Sequence, residues 1–350
     1  MAKPTVEEFV GKLVGDVGAV VTAALVGIGD RLGLYKALAG AGPMTSAALA
    51  KKTGTDERYL REWLCAQAAA GYVDYDAAAA TFTLNDVQTL AFADESSPAF
   101  FLGGFQVARA VFKDMDTVID AFKSGRGVGW HEHDAELFCG TERFFRPGYN
   151  ANLTAAWIPA LDGVEAKLRK GAKVADVGCG HGTSTIVMAK AYPASRFVGF
   201  DYHGPSIEAA RASAVAAGVA DRVSFEIAAA KSFAGTGYDL VCIFDALHDM
   251  GDPVGAARHV RESLAPDGTW LLVEPFAHDA LEKNLNPVGR IFYGASTMVC
   301  TPASLAQEGG VGLGNQVGFE GLRAILAEAG FEAVRLATRT PVNLVIEARA

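Results

Sequence analysis

Apolar residues recur along this chain with two different periods, and the change of period divides it. From residue 166 onward, short apolar runs bounded by glycine, proline or charge alternate with stretches whose apolar residues follow helical spacing. The runs 173–177, 196–200, 223–227, 238–244, 269–274, 333–338 and 342–347 read as strands. Helices are expected at 183–191, 207–217, 253–264 and 319–329. Strand–helix alternation with short connections predicts an α/β fold, a parallel doubly wound sheet whose ligands sit outside the carboxyl ends of the strands.

Before residue 86 the pattern is helical and compact. Residues 5–40 are helix-rich, and the apolar stretch 17–29 reads as a core or dimer helix. Glu7, Glu8 and Asp16 precede it where a signal peptide carries positive charge, and thirteen residues are too few to span a bilayer. Thr45 or Ser46 caps a short helix that ends near Gly54. A second helix, 56–70, places Tyr59, Leu60, Trp63, Leu64 and Gln67 on one face. The segments 72–75 and 81–84 then form a two-strand wing, which completes a winged-helix pattern. Asp56, Glu57 and Glu62 outnumber Arg58 and Arg61 on the second helix, so it repels phosphates, and the module reads as a dimerisation device. The expected domains are therefore a winged helix at 1–85, a helical linker or lid at 86–165, and a Rossmann-like domain at 166–350.

Composition narrows the partners. Half of the 350 residues are hydrophobic, and the net charge of −9 argues against a broad nucleic-acid surface. The five cysteines are dispersed with no C-x-x-C pair, as in a cytoplasmic protein with reduced thiols.

The chemistry gathers around residues 174–182. A buried strand runs into Gly178, Gly180 and Gly182, and a helix follows. Glycine leaves bare backbone against which a flat ligand can lie. The next strand ends in Asp201, where an acid can accept hydrogen bonds from both hydroxyls of a ribose. A dinucleotide is one ligand for such a corner, but the spacing here is G-x-G-x-G and not the G-x-G-x-x-G that usually accompanies it. Further on, the strand 238–244 runs into Asp245 and His248. An imidazole there can take a proton from a substrate hydroxyl, and Glu274, at the end of the following strand, can orient it. His131 and His133 lie in the segment 130–134, but they lack metal-ligand spacing and read as a solvated or substrate-facing loop. No metal is expected. Phe145 or Tyr149 could face a cationic centre.

Asp176, the glycines and Asp201 resemble motif I and the ribose acid of class I S-adenosylmethionine-dependent methyltransferases. With the winged helix, the helical linker and the His-Asp-x-x-Asp after the fourth strand of the sheet, the chain looks like the small-molecule O-methyltransferases of the caffeic-acid and polyketide-tailoring type. The resemblance implies a seven-stranded Rossmann-like methyltransferase sheet, S-adenosyl-L-methionine as cofactor, a small-molecule methyl acceptor and a homodimer. His248 maps onto the general base and Glu274 onto the assisting acid. The cofactor would be held by Tyr149, Asp176, Gly178, Cys179, Gly180, Asp201, Tyr202, Ala229, Ala230, Lys231 and Asp245. Residues 285–318 are similar to a narrower bacterial group. They read as an irregular glycine-rich loop in which Asn286, Tyr293 and Thr297 could line a substrate pocket. Two features depart from the family. Ala228 to Lys231 stand where relatives carry an acid for the adenine amino group, which leaves adenine to backbone and to Phe233 or neighbouring apolar groups. Residues 314–318 offer no match for a further acid. A winged-helix regulator that senses the cofactor is the alternative reading.

Overall fold

The computed structural model describes residues 3–350, and the chain divides into two units, Met1–Phe112 with Cys139–Pro147 and Lys113–Phe138 with Gly148–Ala350. The first unit begins with the helix Val6–Arg31. Thr5 and Glu8 cap its start reciprocally, each side chain accepting the other's backbone N–H. It is not a core helix. Leu13, Val14, Val17, Val20 and Val21 are exposed, and only Val26, Gly27 and Gly29 are buried. At 26 residues it also exceeds the thirteen of the apolar stretch and has the length and hydropathy of a membrane-crossing helix.

The core of this unit lies among the shorter elements. Thr45 caps the helix Ser46–Thr53, which ends on Gly54 at a φ of 66° that disfavours any side chain. Asp56 caps Glu57–Ala69, which buries Leu60, Trp63, Leu64 and Gln67, the face that the spacing predicts. Tyr35 packs between Trp63 and Phe92, with ring centroids at 5.2 and 4.9 Å, and donates its hydroxyl to buried Gln67 at 2.7 Å. Strands β1 (Asp74–Asp76) and β2 (Thr81–Thr83) pair antiparallel as the wing. Both arginines of the would-be recognition helix are tied up, Arg58 by Glu62 and Arg61 by Glu57.

The second unit carries a seven-stranded sheet of β3 (Lys173–Val177), β4 (Arg196–Asp201), β5 (Val223–Ile227), β6 (Tyr238–Phe244), β7 (Leu264–Pro275), β8 (Ala333–Arg339) and β9 (Asn343–Arg349), in the order β5-β4-β3-β6-β7-β9-β8. Strands β3 to β7 are parallel, as expected. Strand β9 is the exception, antiparallel to both β7 and β8. Only a tight turn joins β8 to β9, and a parallel pair needs a long crossover. Helices cover both faces, so Val241, Ile243, Leu272 and Ile346 are wholly buried. Strand order reverses between β3 and β6, which opens a crevice at their carboxyl ends.

Two further expectations are corrected. Phe233 cannot face adenine, because it is 2% exposed and packs on Phe200 and His259 in the core. Much of 285–318 is not loop. Asn286 caps a helix at Pro287–Ala295, a π turn follows at Ser296–Cys300, and helix resumes at Thr301–Leu305.

Candidate active site

Strand β3 ends at Val177 and the backbone turns through Gly178, Gly180 and Gly182, all at positive φ. The amides of Gly178 and Cys179 both donate to the Phe200 carbonyl on β4, at 2.7 and 3.0 Å, which fixes the corner to its neighbour. A Cβ on Gly178 would meet the Ala246 Cβ at 2.9 Å, and one on Gly182 would enter the Phe225 ring at 2.6 Å. At Gly180 nothing stands within 4 Å. The outer glycines allow close packing, and the middle one faces open space. Cys179 is buried, and burial holds its thiol well above the ordinary range.

Asp201 anchors the same corner. One oxygen accepts the Gly180 amide at 2.9 Å and the other the His203 amide at 2.8 Å. Each oxygen keeps lone-pair capacity for a further donor. Burial raises its pKa against those hydrogen bonds. Asp176 lies deeper, at 1% exposure. Its Oδ2 accepts the hydroxyls of Ser184 and Thr185, both at 2.6 Å, while Oδ1 is buried with no partner. Burial lifts this carboxyl to about 6. Buried carboxylate oxygens normally find a donor, so Oδ1 marks a place for one. Tyr202 is 43% exposed beside Asp201, and Ala229 is exposed beyond β5. Ala230 is half-buried. The Lys231 ammonium is directed to Glu308 and Asp252, at 3.0 and 3.4 Å.

Across the switch point, β6 passes into Asp245, which holds a φ of 49°. Tyr149 donates its hydroxyl to one Asp245 oxygen and Asn343 its amide to the other, each at 3.0 Å. Burial raises the Asp245 carboxyl to about 8. The Tyr149 phenol is also raised, first by burial and then by Asp245, with smaller contributions from Asp176 and Glu274. This tyrosine therefore lies within the field of both halves of the crevice.

His248 is 3% exposed, on a single turn just past Asp245. Its Nδ1 is hydrogen-bonded to Glu274 Oε2, and the other Glu274 oxygen accepts the Leu247 amide at 2.9 Å. With Nδ1 turned to Glu274, Nε2 is the other end of the ring and lies 3.3 Å from Asp249 Oδ1. Burial works to lower the imidazole pKa, but Glu274 and Asp249 outweigh it, and the net shift is well upward.

Several participants carried no local signal. Ser184, Thr185 and Asn343 serve carboxylates far away in sequence. The π turn brings Cys300 against His248 and Asp249. His133 is not solvated. It is buried, and its Nδ1 is 2.8 Å from Asp114. Of the other expected pocket residues, Asn286 is committed to capping its own helix and Thr297 bonds back to the Tyr293 carbonyl. Phe145 falls in the first unit.

Residues 168–308 match the family model described as "Methyltransferase domain", and residues 20–92 the "Rv2258c-like winged HTH domain". The chain is 30% identical over 173 residues to the 27-O-demethylrifamycin SV methyltransferase of Amycolatopsis mediterranei, a match covering 47% of this chain and 56% of that enzyme. It is 25% identical to the mitomycin biosynthesis 6-O-methyltransferase of Streptomyces lavendulae, over 67% of this chain and 68% of that enzyme. Among solved structures, human N-acetylserotonin methyltransferase in complex with SAM superposes with a TM-score of 0.70, covering 99% of each chain at 17% identity, a likeness of fold.

Proposed function

We propose that this chain, in which residues 168–308 match a methyltransferase domain and residues 20–92 a winged HTH domain, is a class I S-adenosylmethionine-dependent enzyme that methylates a hydroxyl of a small natural product. The observation that carries this reading is the buried His248–Glu274 pair at the ends of β6 and β7, beside the glycine corner that ends β3.

The residues present fit S-adenosylmethionine. Asp176 Oδ1, buried without a donor, suits the methionine ammonium. Asp201 retains acceptor capacity for ribose hydroxyls, and Gly178, Cys179 and Gly180 offer backbone. Tyr202 and the backbone of Ala229, Ala230 and Lys231 would border the adenine, and Tyr149 and Asp245 the methionine end. When bound, the cofactor supplies a methyl group made electrophilic by its sulfonium. His248 takes the acceptor hydroxyl's proton on Nε2 as the oxygen becomes nucleophilic. Glu274 fixes the ring orientation and stabilises the imidazolium that results. Holding hydroxyl and base together in a fixed geometry supplies much of the rate. The relatives' names, a 27-O-demethylrifamycin SV methyltransferase and a mitomycin biosynthesis 6-O-methyltransferase, support a hydroxylated, partly apolar small molecule as acceptor.

The exposed apolar face of Val6–Arg31 supports a homodimer through the first unit, and the paired arginines of Glu57–Ala69 speak against a DNA reader. Dispersed, unpaired cysteines support a cytoplasmic protein. The test is transfer of labelled methyl from S-adenosylmethionine to a panel of hydroxylated polyketides, quinones and phenols, with calorimetry of S-adenosylhomocysteine against NAD. Binding of NAD in preference to S-adenosylhomocysteine would end the methyltransferase reading.

A further inference from the structure

The free end of His248 faces two more electron-pair donors. Nε2 lies 3.3 Å from Asp249 Oδ1, and the side chains of His248, Asp249 and Cys300 each offer one ligand atom, all within 4.8 Å of one another. Asp249 Oδ1 is buried and makes no well-aligned hydrogen bond to the imidazole, while the Cys300 thiol interacts with both His248 and Asp249. The imidazole and the carboxylate are therefore close without being aimed at each other. Ligands of a tetrahedral zinc ion, at about 2.0–2.2 Å from the metal, stand about 3.3 Å apart in just this non-bonding relation.

The groups behind the three donors fit the same picture. A histidine that binds metal commonly gives its other N–H to a carboxylate, as His248 does to Glu274. The Asn315 amide donates to Cys300 Sγ at 3.3 Å, and the Gln307 amide holds the Asp249 carbonyl at 2.7 Å. We propose that His248 Nε2, Asp249 Oδ1 and Cys300 Sγ form a binding site for a thiophilic divalent ion of the zinc type, and that its occupancy silences methyl transfer. Sulfur, imidazole and carboxylate together select zinc over magnesium or calcium. The thiol, and Nε2 where the imidazole is protonated, give up their protons to solvent as the bonds to the metal form. With Nε2 bound to metal, His248 has no lone pair to take a substrate proton. The inhibitory half of the proposal rests on the reading of His248 as base, and the binding half does not.

The probes are zinc and cobalt(II) alone, added to the full chain under reducing conditions. The background is Cys65→Ser/Cys139→Ser, which removes the exposed thiols. Equilibrium dialysis is expected to give one zinc per chain, with affinity at least tenfold weaker in Cys300→Ser and in Asp249→Asn. Cobalt in the unmutated site should show a thiolate-to-metal charge-transfer band, which needs no further variant to interpret. The absence of stoichiometric zinc, a cobalt spectrum without that band, or affinity unchanged in both variants overturns the site. Zinc that binds and leaves methyl transfer untouched overturns the silencing. If zinc fails to bind while His248→Ala abolishes transfer, the base survives and the metal site falls. If zinc binds while His248→Ala retains transfer, the site stands, and both the base and the silencing that rests on it fall.

Discussion

His248 and Glu274 stand at neighbouring strand ends, and the imidazole Nδ1 is hydrogen-bonded to a carboxylate that is itself 2% exposed. The pairing raises the imidazole pKa well above its ordinary value despite burial. An imidazolium cannot accept a proton, so kcat/KM is expected to rise with pH and to level off only above the usual histidine range. Glu274→Gln removes a raising charge and leaves the desolvation, so the rising limb should move to lower pH while the maximal rate drops. His248→Ala should lose about 10²- to 10⁴-fold in kcat. A pH profile of Glu274→Gln that superposes on wild type contradicts the assignment. The sign for stability is the reverse. A folded pKa above the unfolded one stabilises the protein below the unfolded value, and that contribution is lost as pH rises through the folded value.

Asp176 makes a second case of a buried carboxyl with a folded pKa above its unfolded one, about 6 against an ordinary value near 4. Its folded form binds the proton more tightly, so the ligand-free protein loses about 3 kcal/mol from this group as pH rises from below 4 to above 6. Asp176→Asn should raise the melting temperature of the ligand-free protein at pH 8 and weaken S-adenosylhomocysteine binding at least tenfold. Scanning calorimetry with and without the ligand reads both effects. Unchanged affinity would show that Oδ1 does not meet the ligand.

Asp245 depends on Tyr149 and Asn343 for both of its oxygens. Tyr149→Phe keeps the ring contact with Phe244, at 5.5 Å between centroids, and removes only the donor. Leaving a buried oxygen short of a partner costs about 1–3 kcal/mol. Urea unfolding of Tyr149→Phe should register that loss, with weaker S-adenosylhomocysteine binding. Wild-type stability and affinity together would mean that solvent already serves that oxygen.

What the sequence reveals depends on how local the cause is. Strand β3 appears at its expected bounds because a continuous apolar run between Lys173 and Gly178 allows little else. The stripe Leu60, Trp63, Leu64 and Gln67 is legible because helical spacing alone decides which face is buried. Asp176 inside β3, Asp201 at the end of β4 and His248 just beyond β6 stand out as candidates for the same local reason, their place at the carboxyl ends of buried strands. The approach of Cys300 to His248 is not readable, because 52 residues separate them and a π turn sets the final direction. Phe233 misleads for the complementary reason. Its place just beyond β5 suits adenine, but the ring packs against Phe200, Tyr238 and His259 in the core.

The helix Val6–Arg31 leaves Leu13 at 46%, Val17 at 65% and Val21 at 57% exposure. An apolar face of that extent on a folded unit is costly in water unless something covers it. The helix also carries Glu7, Glu8, Lys12, Asp16, Asp30 and Arg31, which suits a protein partner better than a hydrocarbon interior. A second copy of the same helix is the simplest cover, since paired identical faces close into a two-fold dimer. Light scattering at micromolar concentration should therefore give twice the mass of one chain. Leu13→Glu/Val17→Lys/Val21→Glu should shift it to one, and the sheet-bearing unit should keep its S-adenosylhomocysteine binding. A wild-type protein that runs as a monomer, or that floats with neutral lipid vesicles in a gradient, rules out the dimer.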